Sequence, residues 1–189
     1  MRKLTKEISD GCLKLVDVKE KHIEQIRLWR NSKEVASYGF SDKEISPEEQ
    51  KKWYDRIKED THCKYWMIEY KNPIGVASLT GINTTLNSCY FGFYLGDTSS
   101  KRVGIGAIVQ YRVLNYVFET LELNKLRCEV FEFNDKALRL YEKFGFRREA
   151  FYREHCYKNG SFQNVIGLAL LKAEWKMIKN NLYSRIYKK

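Results

Sequence analysis

Two stretches of the chain carry residue types whose spacing suits chemistry. The first, KRVGIGA (101–107), follows the strand-like run CYFGFYLG (89–96) and opens a long helical pattern. Glycines let a backbone approach a ligand closely, successive N–H groups can point inward, and a helix N-terminus adds partial positive charge. Strand, glycine loop and helix in that order form a layout that holds phosphate. Two familiar versions are excluded. Gly104-Ile-Gly106-Ala-Ile-Val109 lacks the third glycine of a dinucleotide fingerprint, and Glu132 comes late for a ribose-binding acid. There is no Gly-Lys-Ser/Thr, so it is not a nucleotidase P-loop. A Gly-x-Gly alone is as compatible with a structural turn as with a ligand.

The second stretch is NDKALRLYEKFGF (134–146). Ala137, Leu140, Tyr141 and Phe144 fall on one helical stripe, Asn134 is a good N-cap and Gly145 a good C′ residue. Tyr141 has two readings. It is an aromatic packed into the core, or its hydroxyl, at the polar end of an apolar stripe, handles a proton.

The elements that must position these residues are legible from periodicity. Residues 12–18 alternate as a strand, and 21–31 have helical spacing at Ile23, Ile26 and Trp29. Ser46-Pro47-Glu48-Glu49 predicts a helix start with a serine cap, proline at N1 and a capping box; Gln50, Trp53, Tyr54 and Ile57 share one side of that helix. Strands follow at 65–71 and 74–82, joined by a tight Asn72-Pro73 turn, then at 89–96. Residues 105–121 predict one long helix and 125–132 a strand that leads into the Tyr141 helix. Asn159-Gly160 between FRREAFYREHCYK and SFQNVIGLALL predicts a type I′ hairpin. The expectation is one mixed α/β domain over 1–189, with an antiparallel half, βαβ character in its centre and a basic helical tail over about 172–189.

Composition narrows the class. A chain of 189 residues with 43% hydrophobic residues has the material for a core, and two prolines with eleven glycines leave no long linker. No run approaches the roughly 18 apolar residues of a membrane span, and the N-terminus has no apolar secretion segment, so a cytoplasmic protein with no membrane partner is expected. Five cysteines without a C-x-x-C pair point to reduced thiols and no metal. The net charge of +10 comes from 34 basic residues interleaved with 24 acidic ones. It reads as a solvated basic surface that attracts a polyanionic small molecule, with no nucleic-acid partner expected.

The order glycine loop, helix, strand, then a short helix with Asn at its cap and Tyr in its second turn resembles the GNAT superfamily of acyl-CoA-dependent N-acetyltransferases. The family's Q/R-x-x-G-x-G/A loop aligns with Lys101-Arg102-Val103-Gly104-Ile105-Gly106, with Lys101 at the usual Gln/Arg position. The resemblance covers nearly the whole chain and implies a single domain with a mostly antiparallel sheet flanked by helices, and acetyl-CoA as co-substrate. It implies that the strand region of Phe93, Tyr94 and Leu95 holds the pantetheine arm and that the amides of Arg102, Val103, Gly104, Ile105, Gly106 and Ala107 cradle the pyrophosphate. Asn134 then contacts the cofactor arm and Tyr141 protonates the departing thiolate. Glu129 is the candidate base, weighed evenly against an ordinary strand carboxylate paired with a Lys or Arg.

RLWRNSKEV (27–35), REHCYKNG (153–160) and LLKAEW (170–175) are narrower marks. They are similar to a subgroup containing amino-sugar N-acetyltransferases of pseudaminic acid biosynthesis, which act on the 4-amino group of a UDP-linked amino-dideoxy sugar; ribosomal-protein N-terminal acetyltransferases share the later two. By that resemblance Arg30, Asn31, Phe40, Gln50, Trp53 and Tyr90 wall a nucleotide-sugar pocket, and a homodimer is expected. A reading from another class is a non-catalytic basic domain that binds RNA or a ribosome.

Overall fold

Ser46 caps a helix as its sequence announces: its Oγ accepts the Glu49 N–H (3.2 Å), and the Glu49 carboxylate accepts the Ser46 N–H (3.0 Å). With Pro47 at its first position, this helix runs Pro47–Glu59. The computed structural model describes residues 7–10, 13–97 and 104–187. Strands are β1 (Glu7–Asp10), β2 (Leu13–Asp17), β3 (Lys64–Tyr70), β4 (Asn72–Asn83), β5 (Ser88–Leu95), β6 (Lys125–Phe131), β7 (Arg147–Lys158) and β8 (Ser161–Leu171). Helices are α1 (Ile23–Asn31), α2 (Lys33–Ala36), α3 (Pro47–Glu59), α4 (Ile105–Asn115), α5 (Asp135–Lys143) and α6 (Lys172–Tyr187). The fold is α/β with a mixed, mostly antiparallel sheet and flanking helices.

The chain gathers into two compact units, Met1–Ile82 with Phe91–Arg102, and Asn83–Tyr90 with Val103–Lys189. In the first, β1 to β4 form an antiparallel meander and the later part of β5 lies next to β4. Ile26, Trp29, Met67 and Val76 form a buried cluster, with Trp53, Tyr65 and Tyr94 packed against it. Gly75 is needed for close approach: a Cβ there would stand 2.2 Å from the Tyr94 carbonyl oxygen. The expected Asn72-Pro73 turn sits one residue earlier. Tyr70 pairs with Asn72 around Lys71 at φ +65°, and Pro73 lies opposite Glu69 beside a register shift. A proline is tolerated there because a bulge spares it the ladder bond it cannot donate.

In the second unit, the first residues of β5 pair in parallel with β6, ending at Tyr90 opposite Arg127. β6 pairs antiparallel with β8, and β8 with β7. Asn159 (φ +52°) and Gly160 (φ +80°) make the expected two-residue turn between β7 and β8.

One element departs from expectation. The helix of 105–121 is not uniform: after Asn115 it widens into a π-turn over Tyr116–Thr120, closed by Leu121 N–H to Tyr116 O (2.9 Å). The C-terminal segment is helical over Lys172–Tyr187 and packs on the second unit. Trp175 is fully buried, its Nε1–H donates to the Glu119 carboxylate (3.0 Å), and its ring lies 6.1 Å from Phe118 and 5.3 Å from Tyr111. Its basic residues lie around the buried Trp175 and Leu182.

Candidate active site

α5 fixes Tyr141 at both ends. Asn134 Oδ1 accepts the Ala137 N–H (3.2 Å) as the N-cap. At the other end Gly145 adopts φ +83°, Gly145 N–H reaches Glu142 O (2.9 Å) and Phe146 N–H reaches Tyr141 O (3.2 Å). That pair of bonds is a Schellman closure, and its usual apolar contact is here the Tyr141–Phe146 ring pair, edge to face at 5.1 Å. The same turn that ends the helix therefore pins the Tyr141 ring. The buried stripe is Leu138, Tyr141 and Phe144, with Ala137 and Leu140 only half-buried.

Burial holds the Tyr141 pKa well above the ordinary phenol value, with the Cys128 thiol adding to the shift. A phenol so placed keeps its proton at neutral pH and is suited to give it up only to a strong base, such as a leaving thiolate. Asn134 spends its oxygen on the cap; its amide N–H groups are of the opposite polarity and can serve a ligand carbonyl. Glu129 is half-buried, in the alternate set of β6 residues that includes Lys125 and Arg127 and not in the set of Cys128. Its cross-strand partner is Gly167.

At the head of α4, Gly104 has φ +103° and, as the N-cap residue, offers no side chain to the first amides. Among the described residues, nothing stands within 4 Å of where a Cβ at Gly104 would be. Uncapped amides of Gly104, Ile105, Gly106 and Ala107 at a helix N-terminus fit an anionic group such as a pyrophosphate. Arg102 and Val103, with Lys101, lie outside the described residues.

Arg30 is exposed at the end of α1, and its charge acts on the half-buried Tyr65 and Tyr94 phenols, opposing the upward shift that desolvation imposes on both. Trp53 packs edge to face on Tyr65 at 5.1 Å. Asn31 spends both ends of its amide on Ile45, donating to the carbonyl (2.9 Å) and accepting the N–H (3.0 Å), and so ties the segment after α2 to α1. Phe40, on that segment, is 46% exposed. Gln50 is buried with no hydrogen-bond partner for Nε2. Phe93 stacks on Phe91 at 5.7 Å, Leu95 is half-buried, and the Tyr94 side chain points into the core cluster, which leaves its backbone as the group on offer to a ligand. Tyr90 lies under the Arg127 guanidinium at 4.1 Å, and Arg127 also donates to Ser88 Oγ (3.4 Å). Sequence reasoning missed Arg127, because its pairing with Tyr90 is a cross-strand register and leaves no local pattern.

Three of the four described cysteines are buried and held as thiols. Burial pushes the Cys63 thiol up to about 11 and Cys89 to about 12, and Cys128 higher still. With Cys12 replaced by Ser, Cys156, which is half-buried, is expected to react with a thiol reagent in the native protein, and the other three only after unfolding. Fast reaction of two or more thiols would contradict this burial. Among the described residues no group of three or more His, Cys, Asp or Glu could hold a metal ion, and no helix is long and apolar enough to cross a membrane.

Comparison with known proteins gives this geometry its family. The acetyltransferase (GNAT) domain family matches residues 13–147. The chain belongs to the GNAT acetyltransferases. The chain is 31% identical over 128 residues to Acetyltransferase PseH of Campylobacter jejuni, covering 67% of this chain and 78% of that one. It is 29% identical over 147 residues to the spermidine N(1)-acetyltransferase of Vibrio cholerae, covering 77% and 84%. The crystal structure of a spermidine N-acetyltransferase from Vibrio cholerae in complex with CoA and spermine superposes with a TM-score of 0.83 at 27% identity, over 88% of this chain and 99% of that one. This GNAT protein is an acetyl-CoA-dependent N-acetyltransferase. One of these relatives is named for spermidine and the other for no acceptor, so the family fixes the reaction and not the acceptor.

Proposed function

We propose that this acetyltransferase acetylates the 4-amino group of a UDP-linked amino-dideoxy sugar, UDP-4-amino-4,6-dideoxy-N-acetyl-beta-L-altrosamine, as required in pseudaminic acid biosynthesis. The observation that carries the reading is Arg30, an exposed guanidinium beside the Trp53–Tyr65 aromatic pair. A planar cation next to an aromatic edge suits a diphosphate joined to a uracil ring. The net charge of +10 favours an anionic acceptor and opposes a polyamine, which is itself a multiple cation. The likeness to PseH supports the same choice. The likeness to spermidine acetyltransferases is the reason to keep a polyamine as the competing acceptor.

Bound acetyl-CoA supplies an activated acyl thioester. The α4 amides at Gly104–Ala107 hold its pyrophosphate, the backbone of Phe93–Leu95 aligns the pantetheine arm, and Asn134 contacts that arm. Glu129 takes the proton the amine loses, directly or through water. Tyr141 gives its proton to the sulfur that departs.

Initial rates with the UDP-amino sugar, spermidine and a free N-terminal peptide test the acceptor. Only the sugar nucleotide is expected to turn over efficiently, and preference for spermidine or the peptide sinks the reading. Arg30→Ala is expected to raise the KM for the sugar nucleotide about tenfold or more, the worth of one charge-assisted contact, with kcat little changed.

A further inference from the structure

β7 departs from its ladder between Tyr152 and Cys156, which pair with Val165 and Gln163. Arg153, Glu154 and His155 bulge out opposite the single residue Asn164, and Glu154 is forced to φ +50°. Non-glycine residues at positive φ persist only where their surroundings hold them, and such places gather at functional sites. Here the holding group is the Asn164 side chain. Its Oδ1 accepts the Glu154 N–H (2.8 Å), and its Nδ2 donates to the Glu132 carboxylate (2.8 Å). The Asn164 carbonyl also accepts the Glu132 N–H (3.0 Å).

Each end of this bridge leads towards a residue of the proposed chemistry. The bulge borders a concave site of about 710 Å³ lined by Phe151, Tyr152, Arg153, Glu154, His155 and Asn164. The Tyr152 ring lies over Gly167, 3.2 Å from where a Cβ would stand, and Gly167 is the register partner of Glu129. The aromatic wall of the cavity thus runs along the row that holds the candidate base. At the other end, Glu132 immediately precedes Phe133 and Asn134, the cap of the helix that holds Tyr141.

We infer that Asn164 is a positioning residue for acetyl transfer: it locks the β7 bulge, and with it the strand row that pairs with Glu129, to the turn that starts the Tyr141 helix. The inference rests on the reading of Glu129 and Tyr141 as base and acid, and not on the identity of the acceptor. A bulge free to shift against α5 would let the Glu129 row move out of line with Tyr141, and small misplacements of reacting groups are costly to rate.

The test reverses one hydrogen bond in the full-length protein. Asn164→Asp keeps an acceptor for the Glu154 N–H but sets a carboxylate against Glu132. Adding Glu132→Gln restores the bond with donor and acceptor exchanged. Asn164→Asp is expected to lower kcat/KM for whichever acceptor turns over by about tenfold or more, as for one hydrogen bond to a charged group, while the KM for acetyl-CoA moves less than about twofold. The double variant is expected to recover most of the loss. Hydrogen exchange over 134–143 and 150–158 is expected to quicken together in Asn164→Asp and slow together in the double variant. A double variant no better than the single one, an equal rise in the KM for acetyl-CoA, or exchange that quickens in β7 alone overturns the inference. The acceptor reading fails separately: turnover of spermidine with the same pattern leaves Asn164 in its role, whereas turnover of the sugar nucleotide unaffected by Asn164→Asp does the reverse. If none of the three acceptors turns over, the exchange arm decides alone.

Discussion

Tyr141→Phe is expected to lower kcat by about a hundredfold or more, the range of a lost general acid, with the KM for acetyl-CoA nearly unchanged. The separation is possible because the ring and the hydroxyl have different jobs. The ring closes the end of α5 against Phe146, and phenylalanine keeps that contact. The hydroxyl carries a proton whose release burial opposes, so the pKa stands well above the ordinary 10.0. Tyr141 is therefore protonated over the whole range in which the enzyme works, and the rate deficit of the variant is expected to be constant below about pH 10. Equal kcat for variant and wild type at every pH would remove Tyr141 from the chemistry. The raised pKa also bears on stability. The folded chain holds this proton more tightly than the unfolded chain, so the contribution is complete below the unfolded phenol pKa and is lost as pH rises towards the folded one. Tyr141→Phe is expected to soften the alkaline loss of stability while leaving the neutral range nearly flat.

Trp175→Ala is expected to be the most damaging single change to the second unit, at about 3–5 kcal/mol. The indole is fully buried between the π-turn and α4 aromatics, Phe118 on one side and Tyr111 on another. Its removal leaves a cavity that neighbouring rings cannot collapse into without losing their own contacts. It also deprives Glu119 of one donor, although Lys179 still reaches the same oxygen at 2.9 Å. Trp175→Phe keeps an aromatic in place and deletes the N–H, so about 1–2 kcal/mol is expected. Urea titration reads both as a shift of midpoint at constant slope. A loss below about 1 kcal/mol for Trp175→Ala would mean that α6 is not part of the core. Because whole domains are stable by only about 5–15 kcal/mol, truncation before Lys172 is expected to leave the second unit unfolded.

The two residues differ in how far the sequence announces them. Tyr141 lies in a helix whose cap and stop are local, and local chemistry is legible: Asn134 and Gly145 do at the helix ends what their types predict, as do Ser46 with Glu49 and Asn159 with Gly160. Trp175 sits among lysines in a segment whose overall charge reads as solvated. Its burial depends on Glu119 and Phe118, more than fifty residues away, which no periodicity within the helix reports. The same holds for the proposed site. The glycine loop and Asn134 follow from order and spacing, whereas Arg127 over Tyr90 and Asn164 between Glu132 and Glu154 are cross-strand relations set by register. A short strand such as β1 and a single turn such as α2 carry too few residues to show a period at all.

The widened turn at Tyr116–Thr120 sets a rule for how the chain can change length. Deleting one residue there would convert the Tyr116–Leu121 closure into ordinary helix and improve the local bonding. Everything beyond the deletion would also turn by about 100° and shift by about 1.5 Å. Glu119 would swing off Trp175, and Leu123 would lose its N–H contact to Val117 (3.1 Å). The edit that makes the helix more regular is thus the one the packing forbids, and shortening is better placed in exposed turns such as Thr84–Asn87.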